Sequence, residues 1–106
     1  MNDPGSLNQR LVLEAPTETP DGAGGVTRSY VDAATLWAEV TPLSARERVV
    51  ADAAGASVTH RIRIRMRGDV TTRHRLRLGL RAFRIATVRQ DAPGRFLLIE
   101  AEERRA

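Results

Sequence analysis

A chain of 106 residues with a formal charge of +4, no cysteine and 17 basic residues, all of them arginine, is long enough for one domain with a small core. Without cysteine there are no disulfides, no thiolate nucleophile and few structural zinc patterns; without lysine there is neither a Walker A phosphate loop nor a Schiff base. No apolar run approaches the roughly 20 residues of a membrane-spanning helix, and MNDPGSLNQR does not resemble a signal peptide, so no membrane partner is expected.

In chain order, Leu7 to Glu14 has the apolar and β-branched content of a first strand, and APTETPDGAGG (15–25), with its prolines and glycines, reads as a long flexible loop. Val26 to Asp32 and Thr35 to Thr41 read as two further strands, the latter stopped by Pro42, which cannot donate to a ladder. Over 44–55 the pattern changes to a short helix. Ser44 followed by Glu47 forms a capping box, and Gly55 supplies the stop.

Residues 61–80, RIRIRMRGDVTTRHRLRLGL, then alternate apolar and polar in two runs. Ile62, Ile64 and Met66 share one face with Leu76 and Leu78. Arg61, Arg63, Arg65, Arg67, Arg73, Arg75 and Arg77 share the other. A hairpin turning at GDVTT is expected to join the two arginine rows into one positive ridge, an unfavourable arrangement unless something neutralises it. A second hairpin is expected from Ala82–Gln90 through DAPG to Arg95–Ala101, with residues 102–106 a frayed tail.

The fold class is therefore mainly β: a small antiparallel barrel or sandwich with one short helix and a long N-terminal loop. The candidate core comprises Trp37, Ile62, Ile64, Leu76, Leu78, Phe83, Ile85 and Phe96. His60 and His74 fall on the apolar parity and read as core or edge residues, too far apart to share a metal. No catalytic constellation, cofactor-binding motif or metal-ligand spacing is visible.

Charge is divided along the sequence. Residues 1–56 carry four arginines against eight acidic residues, and residues 57–95 carry eleven against two. Three destinations for the arginine ridge are open: solvent, DNA phosphate without sequence preference, or carboxylates across a protein interface. The interface is the favoured one, with Glu39, Glu47 and Asp52 of a neighbouring copy as the matching acids.

The order of Gly5-x-Leu7-x-x-Arg10, the DGAGG loop, ATLWAEVTPLSARE (34–47), THRIRIRMR (59–67), AFRIATV (82–88) and LLIEA (97–101) resembles the siphophage head–tail joining family, the head-closure or stopper proteins of tailed phages and gene transfer particles. The resemblance covers nearly the whole chain. It implies a single connector domain over 1–106, without enzyme activity or cofactor, assembled in the bacterial cytoplasm and carried in the neck of the particle. Its implied partners are copies of itself in a ring, expected as a hexamer, an adaptor or portal ring above, a tail terminator ring below, and double-stranded DNA in the lumen. Such a ring retains packaged DNA and offers the tail its docking surface. Residues 15–25 and 43–56 are the candidates for closing the lumen, the second favoured for its small side chains and capped helix. The alternatives are a tail terminator or adaptor ring, or a nonspecific nucleic-acid-binding β-barrel.

Overall fold

The computed structural model describes residues 7–55 and 57–105, the side chain of residue 105 excepted. Six strands and one helix follow in order: β1 (Gln9–Pro20), β2 (Val26–Pro42), α1 (Ala45–Ala53), β3 (His60–Arg65), β4 (Arg75–Leu78), β5 (Arg81–Asp91) and β6 (Phe96–Arg105). They close into an antiparallel barrel in the order β1-β2-β3-β6-β5-β4. The expected fold class is the one observed.

Period-two alternation builds the interior. Leu11, Leu13, Ile62, Ile64, Leu76, Phe83, Ile85 and Ile99 are all under 2% exposed, and the burial of each such side chain stabilises the fold by roughly 1.5–3 kcal/mol. Leu78 packs against this cluster from its edge. Phe96 is also buried, but it lies on the outer parity opposite Arg65 and is covered by the Arg63 guanidinium, 5.3 Å from its ring centroid. Trp37, expected in the core, is half exposed. It occupies the outward position between Leu36 and Ala38, which point in, and Arg10 stacks over its ring at 4.8 Å.

The arginine hairpin does not form. β3 pairs with β2 and β6, whereas β4 pairs with β1 and β5, so the two arginine rows lie on opposite walls. Alternation fixes which side each row faces, and both rows do face outward, but it does not fix the neighbour. On balance charge favours the observed register: Arg63 lies opposite Glu39, Arg61 opposite Glu100 and Arg75 opposite Glu14 on one side and Arg84 on the other, where a β3–β4 hairpin would set one whole arginine row against another. The stretch read as a turn instead carries the chain from one wall to the other, with Val70 inserted into the core cluster on the way.

The expected loop over 15–25 is also different. Residues 15–20 continue β1 and pair with 26–31 of β2, leaving only DGAGG as the tip of a long two-stranded arm. Pro16 and Pro20 discouraged a strand reading, yet proline is tolerated on a strand with a free edge. Asp21 closes the tip by accepting from the amides of Ala23 (2.8 Å) and Gly25 (3.1 Å), and Gly22 and Gly24 supply the positive φ values of 81° and 86°.

The two strands expected over 26–41 are one. A bulge at Ala33, between the pairs Glu14↔Asp32 and Leu13↔Ala34, shifts the parity and produces the apparent break. The expected frayed tail is strand as far as Arg105, because the start of β5 supplies its ladder partners, with Glu103 opposite Phe83 and Arg104 opposite Ala82. Gly5, Ala56 and Ala106, used in the sequence reading, lie outside the described residues.

Candidate functional site

The arginines singled out in the sequence are neutralised largely by carboxylates of the same chain. On the β2–β3–β6 wall Arg61 meets Glu47 at 2.8 Å, and Arg63 meets Glu39 at 2.9 Å and Asp91 at 3.8 Å. Glu39 and Glu47, expected to serve a neighbouring copy, are thus engaged at home. Arg67 forks onto Asp69 in the crossover (2.9 and 2.8 Å), and Arg65 is exposed with no ion-pair partner among the described residues.

The β4 row has a different setting. Glu14, only 5% exposed, accepts from Nε of both Arg75 and Arg77 (2.5 and 3.2 Å), and Arg77 also reaches Asp32 at 3.2 Å. A nearly buried carboxylate needs such compensation, since desolvation without it costs several kcal/mol. The hydrogen bonds that Arg77 donates to Glu14 and then to Asp32 hold its pKa above the ordinary value.

Three elements unforeseen in the sequence complete this cluster. Arg84 of β5 lies directly opposite Arg75, Arg104 of β6 lies opposite Ala82, and the arm folds Arg28 and Tyr30 over the same wall. The Ala33 bulge brings this about: it puts Asp32, Tyr30 and Arg28 on the side that faces β4. Arg75 stacks over Tyr30 at 4.1 Å. The result is a cleft of about 440 Å³ between arm, crossover and β-wall, lined by Arg28, Arg73, Arg75, Arg84 and Arg104.

Three carboxylates of the cluster serve two guanidiniums apiece: Glu18 takes Arg28 (3.1 Å) and Arg73 (2.8 Å), Glu14 takes Arg75 and Arg77, and Glu102 takes Arg84 (3.3 Å) and Arg104 (2.9 Å). The hydroxyl of Ser57 also donates to Glu102, and with Arg104 and Arg84 lowers its pKa to about 2. With Arg77 and its second partner Asp32 counted in, six arginines meet four carboxylates. Such a surface binds oxyanions through forked, charge-assisted hydrogen bonds.

On the far side of the barrel, α1 follows the capping pattern read from the sequence: Ser44 accepts from the Glu47 amide at 3.2 Å, and Glu47 accepts from the Ser44 amide at 3.0 Å. These bonds, led by that of the Ser44 backbone and followed by Arg61, lower the Glu47 pKa to about 2. The helix buries none of its residues, and Val49 and Val50 are 67% and 64% exposed. Its last turn holds no basic residue but does hold Asp52, which has no ion-pair partner among the described residues.

Neither histidine joins a site with the other. His60 stands edge-on to Phe83 (5.2 Å), and burial lowers its pKa; Nδ1 of His74 is 2.9 Å from the Thr71 hydroxyl. Among the described residues no three His, Cys, Asp or Glu side chains are grouped to hold a metal.

The family of phage head completion proteins matches residues 2–104. Among solved structures, the solution structure of protein SF1141 from Shigella flexneri 2a is similar at 31% identity and a TM-score of 0.79, over 97% of this chain and 96% of that one. A chain from the virion of a native gene transfer agent particle is similar at 35% identity and a TM-score of 0.68, over 93% and 96%. The curated protein sequences contain no match.

Proposed function

The chain belongs to the phage head completion protein family, with a structural role at the head–tail junction of a phage-type particle, and from that premise we propose that it is a ring-forming stopper. In this reading copies of the chain, six to a ring, assemble in the bacterial cytoplasm. The ring sits between a portal or adaptor ring and the tail, retains packaged double-stranded DNA in its lumen without reading sequence, and presents the surface on which the tail docks. No catalytic step is part of this function.

The observation that carries the proposal is the similarity, over more than nine-tenths of both chains, to a component of a gene transfer agent virion. Two features of the chain support it. A closed barrel with one nine-residue helix among the described residues suits a stopper better than an adaptor, a class of greater helical content. The outer wall also carries unlike faces, a cationic cleft on one side and an unburied helix on the other, as a head-to-tail ring requires.

Reconstruction of the neck of intact particles carrying this chain tests the proposal. The expected result is a ring of copies between portal and tail. Particles whose neck lacks the chain, or in which it lies elsewhere, overturn it.

A further inference from the structure

We infer that the cationic cleft of one copy receives the C-terminal end of helix α1 from the next, with the Asp52 carboxylate as the anion it binds. The inference rests on the ring proposed above and specifies the contact that repeats around it.

The donor is defined by what α1 lacks. A helix C-terminus carries partial negative charge and is stabilised by cations, yet the last turn of α1 has an aspartate and no basic residue. Nor is a helix of nine residues stable in water by propensity alone, for which about 12–15 residues are marginal. No side chain of this one is fully buried, and Val49, one turn before Asp52 on the same helix face, is exposed to solvent, while Val50 lines a groove shared with Val58, Arg61 and Glu100 of the same chain. A cationic surface with some apolar area would correct all three deficits.

The acceptor has matching properties. Arg28 and Arg73 share Glu18, Arg84 and Arg104 share Glu102, and Tyr30 and Ala82 add apolar area to its walls. The placement also fits: α1 is tied to β3 through Arg61 and Glu47, and in the closed strand order β3 lies across the barrel from β4, which supplies Arg75 to the cleft. Donor and acceptor therefore face opposite ways, and the contact leaves each copy with one of each to offer its neighbours.

A DNA strand fits the cleft less well. A duplex carries one charge per roughly 1.7 Å of axis, and Glu14, Glu18 and Glu102 would lie against its phosphates. A single carboxylate at a helix end can be forked by Arg84 and Arg104 without displacing them. The contact places α1 between copies and so removes it from the lumen.

The absence of lysine supplies the test. In Arg84→Lys the cleft holds the only side-chain amine of the protein, and a carbodiimide joins it to a carboxylate in direct contact. Assembled particles carrying this variant are expected to yield a ladder of linked copies whose junction peptide, identified by mass spectrometry, connects positions 52 and 84. Asp52→Asn is expected to abolish the ladder. Arg104→Lys replaces the first variant if Arg84→Lys does not enter particles.

A ring seen in the neck without a 52–84 or 52–104 link overturns the inference and leaves the ring intact, as does a ladder joined through another carboxylate. Binding of the purified chain to duplex DNA that is lost in Arg84→Glu/Arg104→Glu also overturns it, in favour of phosphate. A neck with no ring refutes the functional proposal itself and is recognised by imaging before any linking.

Discussion

Glu14→Gln isolates the contribution of the nearly buried carboxylate at the root of the arm. Glu14 accepts charge-assisted bonds from both Arg75 and Arg77, and such bonds contribute about 1.5–3 kcal/mol each. Glutamine keeps the volume, but its one carbonyl oxygen carries no charge and its amide donors face guanidinium. Loss of one bond, weakening of the other and the bare Arg75↔Arg84 juxtaposition, itself worth a few tenths, together predict a loss of about 2 kcal/mol. For a domain of this size each kcal/mol moves Tm by about 4–8 °C, so a fall of roughly 8–16 °C is expected in thermal unfolding followed by circular dichroism. Glu18→Gln is the control. It removes a carboxylate that also holds two arginines, but one that is 35% exposed, and surface pairs contribute about 0–1 kcal/mol. Equal effects of the two substitutions would refute the reasoning, because burial would then make no difference to a carboxylate shared in the same way.

Two further expectations concern pH and packing. The pKa values of Glu47 and Glu102 are lowered from 4.5 to about 2, so the stability they contribute is complete above the ordinary carboxylate range and is lost as pH falls through about 2. Urea titrations across that window should show a shallower acid-induced loss in Glu47→Gln/Glu102→Gln than in the unmodified chain, and parallel curves contradict the assignment. Phe83→Ala should cost about 3–5 kcal/mol, as expected for a fully buried aromatic ring, whereas half-exposed Trp37→Ala should cost less than half as much in the same denaturant series.

The barrel was legible in the sequence because alternation and burial are local and reinforce each other: Ile62, Ile64, Leu76, Phe83 and Ile85 all point inward as their parity requires. Strand partners were not legible. The alternation in 61–67 is compatible with any neighbour, and the choice of β6 over β4 rests on Glu100, Leu98 and Phe96, more than thirty positions downstream. The cationic cleft shows the same limit. Arg73, Arg75 and Arg77 were recognised as a row, but Arg28, Arg84 and Arg104 join them only through barrel closure and through the one-residue offset at Ala33. The small gap between the two runs at 26–41 was the visible trace of that offset. Trp37 departs from the expected core because size and aromaticity suggest burial, while its parity, opposite to that of Leu36 and Ala38, points outward.

Strand order also constrains how the polypeptide becomes a barrel during synthesis. β1 must wait for β4, Glu14 and Arg75 being sixty-one positions apart, and β3 keeps one edge open until β6 docks. Loop-closure entropy makes such distant pairings slow, so the folding chain carries open strand edges until β6 is in place. A product truncated before Phe96 lacks the strand that joins β3 to β5 and exposes both edges to intermolecular pairing. Pairing of β6 with both β3 and β5 is therefore the step that converts a sheet with two open edges into a closed barrel.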